Sequence, residues 1–166
     1  MSLLRLALPL FFASLMAAPA LAGSVIEVMH PWARPTIPNR PGVTYFGVHN
    51  FGDTADRLIG ASAKGVGKIE IHEAKQKDGV MSMTPVEAVD VPAGGMAHLG
   101  PGGFHLMMFD IVAPLKKGDT LEMTLIFQEA GEVSITVPVS KTMGDPQDHG
   151  EGHQDGMQHQ HGTTGN

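Results

Sequence analysis

Between Ser24 and Val139 apolar residues recur at every second position in short runs, and Gly, Pro, Asp or Asn separates one run from the next. This spacing constrains the fold more than any other feature of the chain. Side chains alternate between the two faces of an extended strand, whereas a helix buries positions three and four apart. Residues 25–29 alternate ahead of Pro31, and residues 43–49 alternate up to the turn Asn50-Phe51-Gly52-Asp53. Runs at 57–61, 68–72 and 80–86 follow, none with a 3.6-residue period over ten positions. Turns at Ala93-Gly94-Gly95 and Gly100-Pro101-Gly102-Gly103 introduce runs at 96–99 and 104–110. Lys116-Lys117-Gly118-Asp119 reads as a hairpin-like connection into 121–127, whose odd positions are apolar. In the last run Val133, Ile135 and Val137 alternate with Ser134 and Thr136. Eight to ten short strands without a helix predict an all-β protein, an antiparallel Greek-key β-sandwich.

The sandwich occupies the middle of a three-part chain. Residues 1–22 hold Arg5, an apolar run from Leu6 and the small-residue site Ala20-Leu21-Ala22, the pattern of a cleaved signal peptide. Pro9 and Pro19 interrupt that run, and it is shorter than the ~20 apolar residues of a membrane span. Export to the periplasm is therefore expected, with the mature chain starting near Gly23 and no cysteine there for a lipid anchor. Residues 23–140 form the expected folded domain, and residues 141–166 change to Gly, Gln, Asp, His and Met, the composition of a disordered tail. Loss of Arg5 with the leader leaves ten basic against seventeen acidic residues, an acidic balance that disfavours a nucleic-acid partner. A monomer is expected.

The chain has no cysteine, so an exported fold must rest on its apolar core, and the thiolate of a blue-copper centre is missing. It has eleven methionines and nine histidines instead. His72, Met83, His105 and Met107 supply two imidazoles and two thioethers, neutral soft donors suited to Cu(I) and poorly suited to Zn²⁺. Period 2 puts His105 and Met107 on one side of their strand, about 7 Å apart along it. It likewise puts Met81 beside Met83, and His72 on the side of Glu70, away from Ile69 and Ile71. His72 is read as ending its strand, at the rim. The competing reading of these methionines is core packing, for which Met is a common filler.

In the tail, Met143, His149, His153, Met157, His159 and His161 form a second set of donors. Its nitrogens suit Cu(II), although ordering a polar chain around an ion weakens the affinity. His30, His49 and His98 stand apart and read as structural, as does Trp32. No glycosidase-like pair of carboxylates, G-x-S-x-G or H-E-x-x-H motif is present, so no enzymatic activity is expected. A copper oxygenase built on an N-terminal histidine is excluded if processing leaves Gly23 first.

The spacing H-x10-M-x21-H-x-M, made by His72, Met83, His105 and Met107, resembles the motif of the periplasmic copper chaperone family PCu(A)C. The likeness covers residues 25–139 and includes His30-Pro31-Trp32-Ala33-Arg34, the turn at 50–57, Gly79-Val80-Met81 and the stretch from Pro92 to Met107. Where that motif optionally carries a Met after its first His, this chain has Glu73. The resemblance implies a cupredoxin-like sandwich that binds Cu(I) at its surface through the four residues. It further implies delivery of copper for the CuA centre of cytochrome c oxidase, with oxidase subunit II and a Sco-type thiol protein as partners and the membrane met only through them. Some members carry a His/Met-rich extension that binds Cu(II), which the tail resembles. The alternative with the same ligands is a periplasmic copper buffer or resistance protein.

Overall fold

The structure, a computed structural model, describes residues 23–77 and 79–142. The expected leader, residues 1–22, and the tail donors from Met143 onward lie outside these residues. Ten strands make up the described chain: β1 Ile26–Ala33, β2 Gly42–Asn50, β3 Asp56–Ala63, β4 Val66–Lys77, β5 Val80–Pro85, β6 Val89–Val91, β7 Met96–Leu99, β8 Phe104–Ile111, β9 Thr120–Phe127 and β10 Gly131–Pro138. They form a six-stranded sheet in the order β1-β2-β7-β8-β4-β5 and a four-stranded sheet in the order β10-β9-β3-β6. Pairing among the described residues is antiparallel except for two short parallel contacts, Leu99 with Phe104 and the isolated bridge of Ala33 with Val139. The fold is the expected all-β, cupredoxin-like sandwich.

Alternation decides which side chains lie between the sheets. Phe46 and Val48 of β2, Ile71 of β4, Leu106 and Met108 of β8 enter the core from the larger sheet. Leu58 of β3, Met123, Leu125 and Phe127 of β9 and Val137 of β10 meet them from the smaller one. Burying each such side chain stabilises the fold by about 1.5–3 kcal/mol. With no disulfide available, this interface is the main source of stability.

Several elements differ from the sequence reading. β4 runs to Lys77, so His72 stands inside the strand and not at its end. Residues 73–77 alternate weakly in sequence and extend the strand as a hairpin arm paired with β5. β1 continues through Pro31 to Ala33 by means of a bulge between Met29 and Trp32, where His30 has φ 49°. Proline, lacking an N–H, is tolerated there because β1 is an edge strand and the ladder is already interrupted. The Lys116–Asp119 connection links β8 in one sheet to β9 in the other, a crossover and not a hairpin.

Two buried polar residues fasten the end of the sandwich where the turn at 50–57 lies. Asn50 accepts from the N–H groups of Val25 and Gly52 at 3.2 and 2.9 Å and donates to the Thr54 carbonyl at 2.7 Å. Asp56, 2% exposed, accepts from the Ser24 hydroxyl at 2.6 Å and the N–H groups of Arg57, Glu129 and Ala130 at 2.7, 2.9 and 3.0 Å. Burial pushes its pKa upward, but the combined hydrogen bonds from Ser24, Glu129, Arg57 and Ala130 outweigh it and hold the carboxyl below its ordinary value.

Candidate metal centre

Strands β8, β4 and β5 lie side by side, and their register brings the four residues of the spacing motif onto one face. His72 of β4 is the direct cross-strand partner of His105 of β8. Their neighbours Ile71 and Leu106 point into the core, so both imidazoles stand on the outward face of the six-stranded sheet. Met107 lies two residues along β8 on that face, opposite Glu70. Met83 lies on β5 opposite Ala74, two residues beyond His72 on β4. The two methionines thus flank the histidine pair diagonally, from opposite sides. Diagonal neighbours are about 7–8 Å apart at the backbone, within the span of long side chains.

The imidazoles are buried although they face outward, His72 at 8% and His105 at 3% exposure. Their ring centroids are 5.9 Å apart at 44°. An imidazole bound through one nitrogen at about 2.0–2.1 Å places its centroid ~3 Å from a first-row metal ion. The separation therefore suits two rings sharing one ion. Tyr45 is 6.3 Å from His105, Phe109 is 6.2 Å from His72, and Trp32 packs on Tyr45 at 4.8 Å, giving the pair an aromatic surround.

Hydrogen bonds assign the proton on each ring. His72 Nε2 lies 2.9 Å from Glu70 Oε2, and His105 Nδ1 lies 3.1 Å from the Gly103 carbonyl oxygen. A carboxylate and a carbonyl only accept, so in the neutral rings those nitrogens carry the hydrogens. His72 Nδ1 and His105 Nε2 are left with lone pairs. Among the described residues they are the buried side-chain nitrogen or oxygen atoms without a hydrogen-bond partner. A buried polar atom with no partner is destabilising by about 1–3 kcal/mol, and two on adjacent rings amount to a donor pair awaiting an acceptor such as a metal ion.

Glu70 is oriented in turn by Lys68, whose Nζ lies 2.5 Å from Oε1. Hydrogen bonds from His72 and then from Lys68 hold the Glu70 carboxyl below the usual range. Lys68, Glu70 and His72 occupy alternate positions of β4, so period 2 already placed the carboxylate beside the imidazole. The involvement of Tyr45 and Phe109 carried no such local signal. Met83 and Met81 are exposed at 55% and 51%, and Met107 is half-buried. Met81 faces the same way but lies opposite Gln76, farther out along the arm. Glu73 lies on the other side of β4 and pairs with Lys75 at 2.8 Å. A methionine at position 73 would face away from His72, so its absence removes no sulfur from this face.

Residues 26–139 match the model of the LpqE-like family, a lipoprotein-type family. Lxx21020, a lipoprotein-type protein of Leifsonia xyli subsp. xyli, is 32% identical over 58% of this chain, which spans about three fifths (59%) of that relative. Among solved structures, the copper-bound PCuAC domain from PmoF2 is 30% identical with a TM-score of 0.60, covering 71% of this chain and 94% of that domain. The Cu(I) form of DR1885 from Deinococcus radiodurans is 25% identical with a TM-score of 0.51, covering 76% of this chain and 83% of that protein. With the match running through all ten strands, the chain belongs to the LpqE-like family and has the fold of the PCuAC domains.

Proposed function

We propose that the protein is a copper chaperone that holds Cu(I) on the outer face of its larger sheet through His72 Nδ1, His105 Nε2 and the thioethers of Met83 and Met107. The observation that carries this reading is the pair of partnerless lone pairs on adjacent buried imidazoles, with Met83 and Met107 both diagonal to His72 and Met107 two residues along the strand from His105. Copper in the PmoF2 domain and Cu(I) in DR1885 support the choice of ion. Neutral sulfur and nitrogen donors match a soft monovalent ion. Exposed Met83 offers a point at which an incoming ligand exchanges for a leaving one, which suits carriage better than permanent retention.

In this reading the protein works in the periplasm after signal-peptide removal and hands its copper to oxidase subunit II for the CuA centre, alongside a Sco-type thiol protein. The tail, through Met143, His149, His153, Met157, His159 and His161, captures Cu(II). Anaerobic titration against a Cu(I) chelator tests the site: the Met83→Leu, Met107→Leu double variant should lose tight binding, and unchanged binding would refute the assignment. Mixing Cu(I)-loaded protein with an apo subunit II domain tests delivery. Copper left with the chaperone, together with copper sensitivity of cells lacking the protein, would make it a buffer. Deleting residues 142–166 should abolish Cu(II) binding and spare Cu(I).

A further inference from the structure

The outward face that carries the histidine pair continues across β7 and β2 to β1, and a second group of soft donors lies there. In β2 Phe46 and Val48 are core residues, so Gly47 and His49 face outward. In β1 Ile26 and Val28 pack on the core, so Glu27 and Met29 face outward. In β7 Ala97 and Leu99 face the core, which turns Met96 and His98 outward. Register then sets His49 at the middle: Met96 is its direct partner on β7, Glu27 its direct partner on β1, and Met29 and His98 are its diagonal neighbours.

Two details concern the sulfurs of this group. Gly47 lies between Met29 and His98 in the register and has no side chain, and the Met29 side chain lies against it, with Cε 3.3 Å from where a Cβ would stand. Met96 is 66% exposed, a thioether left in solvent where apolar burial gives no reason for it. One side of the His49 ring is covered by Phe51 at a centroid distance of 3.7 Å, which limits its rotation. Direct cross-strand partners have Cβ atoms about 4.5–5.5 Å apart, and diagonal ones remain within reach of long side chains.

We propose that His49, Met29 and Met96 form a second site for a soft monovalent cation, Cu(I) or Ag(I), with the Glu27 carboxylate beside it. One nitrogen and two sulfurs suit such an ion and disfavour Zn²⁺, Ca²⁺ and Mg²⁺. The site shares the sheet face with the His72–His105 pair but none of its residues, and it stands or falls independently of the function proposed above.

The test is a titration of the full chain with Ag(I), followed through the methionine ε-methyl signals by NMR. The Met29 and Met96 methyls are expected to shift together, separately from those of Met83 and Met107 and from those of the tail residues Met143 and Met157. In His49→Phe, the Met29 and Met96 shifts should require at least ~10-fold more Ag(I), while those of Met83 and Met107 stay unchanged. Met96→Leu, a volume-conserving change at an exposed position, should likewise weaken the Met29 response. Methyls of Met29 and Met96 that do not move through several equivalents, or that respond identically in His49→Phe and Met96→Leu, would overturn the proposal. Failure of Met83 and Met107 to respond would instead count against the first site.

Discussion

The two outer faces of the sandwich are built by the same period-2 rule and carry opposite chemistry. On the four-stranded sheet, Glu122 and Thr124 of β9 and Glu132, Ser134 and Thr136 of β10 face outward, and Thr136 donates to Glu122 at 2.9 Å. On the six-stranded sheet, the outward positions hold five of the seven described methionines, all but Met108 and Met123, and four of the five described histidines, all but His30. A sheet needs one apolar face and tolerates almost anything on the other. Folding therefore does not require the concentration of soft donors on one solvent side, or their absence from the outward positions described for the other sheet. The contrast also answers the core-filler reading of the methionines: Met108 and Met123 fill the core, at 0% and 2% exposure, while Met81, Met83 and Met96 do not.

The largest effect should separate binding from stability. Met83→Leu with Met107→Leu removes both thioethers of the proposed Cu(I) site. Its loss of affinity should exceed the ~10–100-fold typical of removing an outer partner of a ligand. Unfolding in urea should change by less than about 1.5 kcal/mol, because Leu and Met are similar in volume. A large loss of stability would mean that these methionines are structural after all.

Asp56→Asn acts at the start of β3 in the other sheet and should do the reverse, lowering stability by about 2–3 kcal/mol through impaired buried hydrogen bonds while leaving Cu(I) binding intact. The sign of its pH dependence follows from a folded pKa held below the ordinary value. The contribution is fully present above the unfolded pKa and disappears as pH falls through the folded one. Urea midpoints of the two proteins should thus converge as pH falls below the ordinary carboxylate pKa of about 4, and a constant gap would contradict the assigned role.

Glu70→Gln should weaken Cu(I) binding ~10–100-fold, because the carboxylate fixes the proton on His72 Nε2 and leaves Nδ1 free. Imidazole nitrogen NMR of the apo variant should show a mixture of His72 tautomers. An unaltered tautomer with unaltered affinity would remove Glu70 from the site. The smallest effect is expected on the polar face, where Thr136→Val should change stability by no more than about 0.5 kcal/mol and metal binding not at all.

Alternation was enough to place most strands and to assign their faces, since each buried run such as Leu121, Met123, Leu125 and Phe127 reads directly as period 2. It did not reveal β6, whose three residues are too few to establish a period, or the outer arm of β4, where polar residues pair only with an edge strand. For the candidate site, the pairing of His105 with Met107 and of His72 with Glu70 was legible along single strands. That His72 stands opposite His105 was not, because register between β4 and β8 is decided by how two distant hydrophobic sets interlock. The cluster around His49 was still less accessible: Met29, His49 and Met96 come from strands whose neighbourhood depends on a crossover.

Met83 stands on β5, the outermost strand of its sheet, where all six residues are exposed. Such an edge opens locally at far lower free energy than the sheet interior, since it is held on one side only. Three of the four proposed donors rest on strands bounded by neighbours on both sides and the fourth on a strand that can peel away. In the proposed site, grip and release would thereby fall to different parts of the ladder, and the lifetime of a bound ion would follow hairpin fraying, measurable as faster amide exchange at Met81 and Met83 than at His105 and Met107.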